Sequence, residues 1–137
     1  MDRSATTPAV AGAPRLILRM EGLALLALAT LGFSHTGASW WLYAVLFLAP
    51  DVSFAAYAAG PKPGALAYNA LHTTVGPAAL AGMGFLVKDT TLLDMTLLAI
   101  AAVWAAHIGF DRMLGYGLKY SSAFGDTHLG RIGRAGA

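Results

Sequence analysis

Five ionisable side chains lie inside segments that are otherwise apolar enough to cross a membrane. Such groups are costly in the hydrocarbon of a bilayer, so those that occur there usually face the interior of a helix bundle and serve a function. Carboxylates and imidazoles in one place suit two kinds of chemistry, which are proton transfer and metal ligation. The five residues are Glu21, Asp51, His72, His107 and Asp111.

The spacing of these residues indicates which of them share a helix face. His107 and Asp111 are four residues apart, so a helix places them one turn from each other. A carboxylate can hold one tautomer of a neighbouring imidazole and raise its basicity, which suits a general base or a metal ligand. The alternative is a polar pair that only locks this helix to a neighbour. Candidate substrate-contacting residues on the same faces, or on apolar walls beside them, are Phe47, Phe54, Tyr68, Asn69, Trp104 and Phe110.

The composition is that of a membrane protein. Of 137 residues, 57% are hydrophobic and 12% are charged, which is too apolar for a soluble domain of this size. The absence of cysteine excludes disulfides, thiolate metal sites and thiol nucleophiles. The net charge of +2 is spread thinly over ends and loops, so the sequence predicts no nucleic-acid partner.

Four apolar runs of about twenty residues predict four transmembrane helices. Joined by short connections, they predict an all-α, four-helix, up-and-down transmembrane bundle over residues 15–118. Pro50 and Pro77 lie within the second and third runs, and each is expected to kink its helix. The runs cover about 16–33, 40–59, 65–87 and 92–117.

The positive charges predict how the bundle is oriented. Eight of the nine Lys and Arg residues fall on the side shared by both termini and the 60–64 loop, and only Lys88 falls on the other. Both termini are therefore expected in the cytoplasm, in a multi-pass protein of the inner (plasma) membrane. Small residues in the spans, such as Gly82 and Gly84, favour packing within one chain over a homo-oligomer, which is the alternative.

The chain ends are expected to lie outside the membrane. Residues 1–14 predict a disordered cytoplasmic segment. Residues 119–137 are too polar to span, and they form either a cytoplasmic lid, with Asp126 and His128 at its rim, or a loosely ordered tail. Arg112, near the cytoplasmic interface, is expected to snorkel towards the head groups; the alternative is a contact with a substrate or a carboxylate.

The ionisable residues converge at one depth. With a rise of about 1.5 Å per residue, Asp51, His72 and His107 lie about 13, about 12 and about 16 Å below the cytoplasmic ends of their spans. Asp111 and Glu21 lie at about 10 and about 9 Å. All four helices thus contribute to the same half of the membrane, and we expect one shared pocket.

Several motifs resemble those of a family of small bacterial four-helix membrane proteins that carries only a domain-of-unknown-function label. The most specific runs from His107-Ile-Gly-Phe-Asp111-Arg112 through Lys119-Tyr120 to Thr127-His128-Leu129-Gly130. Arg19-Met-Glu21-Gly22, Phe47–Asp51 and Tyr68–His72 are similar to it as well. The resemblance covers about residues 15–133. It implies a shared fold and strengthens these polar positions as candidates, but it implies no activity, substrate or cofactor.

The first functional hypothesis is a membrane enzyme without a cofactor that acts on a lipophilic, isoprenoid-like substrate in the bilayer. A buried carboxyl can donate a proton, and a His–Asp pair can accept one, which suits isomerisation, epoxide opening or cyclisation. Asp51 or Glu21 would be the acid, and His107 with Asp111 the base. His72 would assist in the same pocket.

Two other classes of function remain open. His72, His107, Asp111 and Asp51 could hold a non-haem iron or a zinc ion, or the two histidines could ligate a haem in a redox protein. The third class is a non-enzymatic accessory protein, a lipid-binding protein or a proton-coupled transporter.

Overall fold

The computed structural model describes residues 8–87 and 92–133. In these residues, four helical stretches are long and apolar enough to cross a membrane, which confirms the predicted all-α fold with four candidate spans. They indicate a multi-pass membrane protein. The stretches are Gly12–Ser34, Trp40–Ala59, Pro61–Val87 and Leu93–Leu114.

Two of the four spans are broken, so the described chain has more helices than spans. The first span is α1 and the fourth is α5, whereas the second and third each consist of two helices. A short β-hairpin follows α5. The elements are α1 (Gly12–Ser34), α2 (Trp40–Phe47), a 3₁₀ helix (Ala49–Ala59), α3 (Pro61–His72), α4 (Val75–Val87), α5 (Leu92–Leu114), β1 (Asp126–Thr127) and β2 (Gly130–Arg131).

The second span changes its helical geometry at Pro50. Proline has no N–H to donate to the preceding turn, and α2 ends just before it, where the sequence predicted a kink or a local opening. The chain continues as a 3₁₀ helix, in which residues three apart lie directly above one another. Asp51, Phe54 and Tyr57 therefore form one row. An α-helix would rotate these side chains away from each other.

The third span breaks between α3 and α4, one turn ahead of Pro77, as the proline predicted. The break frees backbone carbonyl groups, which need hydrogen-bond partners inside a membrane. Two side chains of α5 supply them. Trp104 Nε1 donates to the Leu71 carbonyl oxygen at 2.6 Å, and Arg112 Nη2 donates to the His72 carbonyl oxygen at 3.1 Å. The break is thus fixed against α5.

Helices α1 and α5 cross at two glycines. A Cβ on Gly22 would lie 2.8 Å from the Gly109 carbonyl oxygen, and a Cβ on Gly109 would lie 2.5 Å from the Leu26 nitrogen. Both distances are too short for any side chain, so the two backbones are in direct contact. This crossing holds α5 in place in the half of the bundle where the polar residues lie.

The segment after α5 folds back onto the bundle. Gly115, with φ +93°, ends α5, and the hairpin that follows pairs Asp126 with Arg131. The His128 carbonyl oxygen accepts a hydrogen bond from the Val10 N–H at 2.8 Å, so the residues flanking α1 and α5 meet at one end of the molecule.

Three predicted boundaries differ from the structure. The fourth helix ends at Leu114, three residues before the predicted end, because the glycine that follows takes up a positive φ. Helix α1 begins at Gly12, so residues 12–14 of the predicted disordered segment belong to it. The third span begins at Pro61 rather than at residue 65, since proline is well tolerated in the first turn of a helix. Residues 1–7 and Lys88 lie outside the described residues.

Candidate functional site

Four of the five predicted ionisable residues meet at one point. The Nε2 atoms of His72 and His107 lie 3.1 Å apart. An Asp51 oxygen lies 3.4 Å from each of these nitrogens, and an Asp111 oxygen lies 3.4 Å from His72 and 3.6 Å from His107. All four atoms lie within 4.8 Å of one another. We call these four residues the His–Asp cluster.

Three elements bring the cluster together. Asp51 lies at the start of the 3₁₀ helix, and His72 is the last residue of α3, at the break in the third span. His107 and Asp111 lie one turn apart on α5, as their spacing predicted. Both histidines are 2% exposed. The 3₁₀ helix of the second span and the break in the third span therefore place Asp51 and His72 against α5, which is unbroken beside them.

Glu21 is not part of the cluster, so the expected convergence of all five ionisable residues is wrong for this one. It lies on α1 at a comparable depth, but it is exposed, whereas the neighbouring Gly22 forms the contact with α5. Depth along a helix does not fix the direction in which a side chain points. The glycine contact determines the face that α1 turns to the bundle, and Glu21 lies off that face.

Hydrogen bonding fixes the state of one imidazole. His72 Nδ1 lies 2.8 Å from the Tyr68 carbonyl oxygen, which can only accept, so Nδ1 carries the proton and Nε2 carries a lone pair. This lone pair points at His107 Nε2. The other ring nitrogen of His107, Nδ1, is buried without a hydrogen-bond partner among the described residues. The lone pair of His72 can accept a hydrogen bond from a protonated Nε2 of His107, or it can bind a cation that lies between the two rings.

The spacing of the four atoms fits a metal ion. Bonds of ~2.0–2.2 Å to nitrogen and oxygen place neighbouring ligand atoms ~3.3–3.6 Å apart in a tetrahedron. Five of the six separations between the cluster atoms run from 3.1 to 3.6 Å, and the sixth, between the two carboxylates, is no more than 4.8 Å. Two imidazoles and two carboxylates are a donor set suited to Zn²⁺, Fe²⁺ or Mn²⁺. The cluster could therefore hold one such ion.

Aromatic side chains contact and orient the residues of the cluster. The Tyr68 hydroxyl donates to Asp111 Oδ2 at 3.2 Å, and the Tyr68 ring stacks on His72 with centroids 3.7 Å apart. Phe47 packs edge-on against His107 at 5.4 Å. The structure thus places Tyr68 and Phe47, two predicted substrate-contacting residues, in contact with the cluster itself.

Other predicted substrate-contacting residues have structural partners. Trp104 holds the Leu71 carbonyl group at the break in the third span, and Phe110 packs against Phe47 rather than against the cluster. Asn69 makes two hydrogen bonds to the backbone of Lys119: its Oδ1 accepts from the N–H at 2.7 Å, and its Nδ2 donates to the carbonyl oxygen at 2.8 Å.

Lys119 lies in the motif that the sequence analysis identified, but it was not assigned a role in the site. It is 4% exposed, and its ammonium donates to the Phe124 carbonyl oxygen at 2.6 Å. The same ammonium lies 3.6 Å from the centroid of the Phe124 ring and 4.9 Å from that of Tyr68. Burial lowers the pKa of Lys119, an effect that Asp111 opposes. The sequence feature that could have indicated its role is a single lysine among aromatic residues in an otherwise polar segment.

Arg112 does not snorkel outwards as predicted. Its guanidinium turns into the protein, where it donates to the His72 carbonyl oxygen and lies 3.1 Å from His128 Nε2. The His128 Nδ1 accepts from the Leu118 N–H at 2.9 Å. Arg112 therefore links the break beside the cluster to the C-terminal segment, and hydrogen bonding inside the protein outweighs hydration at the interface.

A chamber of about 260 Å³ lies between the His–Asp cluster and the C-terminal segment. Its polar wall contains two cluster carboxylates and the Lys119 ammonium, and the remaining wall is largely aromatic. Phe54, a predicted substrate-contacting residue, belongs to this wall. The lining residues are Asp51, Phe54, Tyr68, Asp111, Tyr116, Lys119, Phe124 and Ile132.

Comparison with known proteins identifies the family. Residues 15–132 match the family described as "Domain of unknown function (DUF4260)", so the chain belongs to that family. This confirms the predicted membership of a family without an assigned function. The matched range contains the whole His–Asp cluster and Lys119. No curated protein and no solved structure matches the chain.

Proposed function

We propose that this member of the DUF4260 family is a metal-dependent enzyme embedded in the plasma membrane, which acts on a lipophilic substrate from the cytoplasmic side. The observation that carries the proposal is the meeting of two imidazole Nε2 atoms and two carboxylate oxygens at ligand spacing. The chamber beside them provides room for a substrate.

Charge supports a cation at this point. Asp51 and Asp111 bring two carboxylates into a bundle that offers them little water, and unpaired charges there are costly. A divalent cation between the oxygens would balance both carboxylates. It would also be bound by the Nε2 lone pair that His72 presents and by that of a neutral His107 protonated on Nδ1.

The chamber side of the cluster is where substrate would bind. The Asp51 side chain is 37% exposed, against 13% for Asp111, and both residues line the chamber. Asp51 is thus the ligand that an oxygen of the substrate could most easily displace. When bound, the ion would polarise such an oxygen or lower the pKa of a bound water. Tyr68 and the Nδ1–H of His72 keep the other ligands in position.

A second candidate function is acid–base catalysis without a metal. The 3.1 Å separation of the two Nε2 atoms also suits a shared proton, with the Asp111 carboxylate as its counter-charge. Asp51, which is open to the chamber, would be the acid, and His107 with Asp111 the base, for isomerisation, epoxide opening or cyclisation of an isoprenoid-like substrate. A haem is disfavoured, since a porphyrin does not fit between nitrogens so close together.

The metal content of the purified protein separates these candidates. We expect wild-type protein, expressed in medium containing zinc, iron and manganese, to carry about one equivalent of one of these ions. His107→Ala should lose it, because one of the four ligands is removed. Glu21→Gln is the matched control, since it removes an ionisable group at similar depth outside the cluster, and it should keep the ion. A metal-free wild-type protein with a shared proton on the histidine pair would overturn the metal proposal in favour of the second candidate.

A further inference from the structure

The position of Lys119 is fixed by the structure around it. Asn69 on α3 hydrogen-bonds to both the N–H and the carbonyl oxygen of Lys119, so the backbone of Lys119 is held in place against α3. The ammonium is held inside an aromatic wall by Phe124 and Tyr68. Burying a charged lysine costs free energy unless the ammonium has an interaction partner. Lys119 therefore presents a fixed positive charge in the wall of the chamber.

The charges of the chamber favour an anionic guest, given the metal ion of the proposed function. Asp51 and Asp111 are the acidic residues of the chamber lining, and a divalent ion would neutralise both of them. The charge of Lys119 would then have no opposing charge in the lining. An anion beside it would restore neutrality in a space of low dielectric constant, where such pairing is strong.

The size of the chamber and the character of its walls limit the rest of the guest. A volume of about 260 Å³ is smaller than most ligand pockets, which span ~300–1,000 Å³. It suits a head group better than a whole lipid. Phe54, Tyr116 and Phe124 line the chamber and are also exposed at the surface. They offer an apolar exit, over which a hydrocarbon chain could pass to the bilayer.

We propose that Lys119 binds the anionic oxygen head group of a single-chain amphiphile, a carboxylate or a phosphate monoester, and presents it to the His–Asp cluster. This inference rests on the proposed function, because it names the class of substrate of the same site. The head group would lie between Lys119 and the metal ion, and the apolar chain would leave across the exposed aromatic rings.

Binding of three matched probes tests the inference. Radiolabelled dodecanoate, dodecyl phosphate and dodecanol share one chain length and differ in the head group, and they are titrated against metal-loaded protein in phosphatidylcholine nanodiscs. Dodecanoate or dodecyl phosphate should bind, and the tighter of the two identifies the head group. Dodecanol should bind at least about tenfold more weakly, because it cannot form the charge-assisted hydrogen bond that an anionic head group makes.

Variants assign the effect to Lys119. Lys119→Met removes the charge and keeps the apolar stem, and it should weaken anion binding by at least about tenfold. Lys119→Arg keeps the charge and should bind the anion nearly as well as wild type. Lys62→Met is the matched control, because Lys62 is exposed in the first turn of α3 and is not part of the chamber lining. It should leave binding unchanged.

The outcomes distinguish this inference from the proposed function. Lys119→Met should still carry one equivalent of metal, since Lys119 is not a ligand. If the metal is retained and the variant binds the anions as wild type does, or if dodecanol binds as tightly as the anions, the head-group inference fails alone. If wild-type protein carries no metal, the proposed function fails by that measurement. A Lys119-dependent binding of anions would then still support the head-group site.

Discussion

The Nε2 atoms of His72 and His107 lie 3.1 Å apart, although the two residues are 35 positions apart in sequence and on different helices. The Tyr68 carbonyl group fixes the proton of His72 on Nδ1, so a lone pair of His72 faces the other ring. Without a metal ion, the Nε2–H of a neutral His107 can donate a hydrogen bond to this lone pair. A cation between the nitrogens and the two aspartate oxygens that flank them would instead be bound by all four residues.

The Tyr68 hydroxyl should affect metal affinity without being a ligand. Tyr68→Phe keeps the ring that stacks on His72 and removes the hydrogen bond to Asp111. Loss of such a supporting bond typically weakens metal affinity by ~10–100-fold. Competition with a chelator of known affinity measures the change. Tyr43→Phe is the control, because its hydroxyl bonds to Thr30 away from the cluster; an equal loss in both variants would contradict the assignment.

The crossing of α1 and α5 should not tolerate a methyl group. Gly22→Ala would place a Cβ 2.5 Å from the Cβ of Arg112, so the two helices would have to separate. Overpacking of this kind costs about 1–3 kcal/mol, and we expect a lower midpoint of thermal unfolding in detergent. Gly32→Ala is the matched control on the same helix, because its Cβ would meet nothing within 4 Å. Equal midpoints for the two variants would show that the crossing is looser than described.

Docking of the C-terminal segment should weaken in acid. Burial and the neighbouring Arg112 guanidinium lower the pKa of His128 from 6.5. A proton therefore binds more readily to His128 when the segment is undocked, so docking is at full strength above pH 6.5 and weakens as the pH falls below it. Hydrogen exchange of residues 117–130, corrected for the intrinsic rate, should be faster at pH 5.5 than at pH 7.5.

His128→Asn tests the source of this pH dependence. The asparagine keeps an acceptor for the Leu118 N–H and does not titrate in this range, so the acid-induced increase in exchange should be lost. If the variant shows the same increase as wild type, another group is responsible for it.

The sequence could predict the composition of the cluster because depth follows from residue number. A helix rises by a constant amount per residue, so Asp51, His72 and His107 could be assigned to one level from the ends of their spans. The sequence could not predict the exclusion of Glu21. That depends on which face α1 turns inwards, and the Gly22 contact with α5 decides it in three dimensions.

The chamber depends on two features that local sequence patterns do not contain. Pro50 predicted a kink, but not the 3₁₀ geometry after it, which places Asp51, Phe54 and Tyr57 in one row. Lys119 enters the site because Asn69, 50 residues away, holds its backbone. Contacts over such distances in sequence arise from tertiary packing, and neither propensity nor periodicity specifies them.

X-ray absorption spectroscopy at the edge of the bound metal tests the central claim most directly. The claim predicts a shell of nitrogen and oxygen at ~2.0–2.2 Å with the outer-shell scattering of two imidazoles in the wild-type protein. In His72→Ala and His107→Ala, the bound metal and its imidazole signal should be lost, whereas Glu21→Gln should give the wild-type spectrum. A bound ion without imidazole scattering, or one that persists unchanged in both alanine variants, would contradict the account.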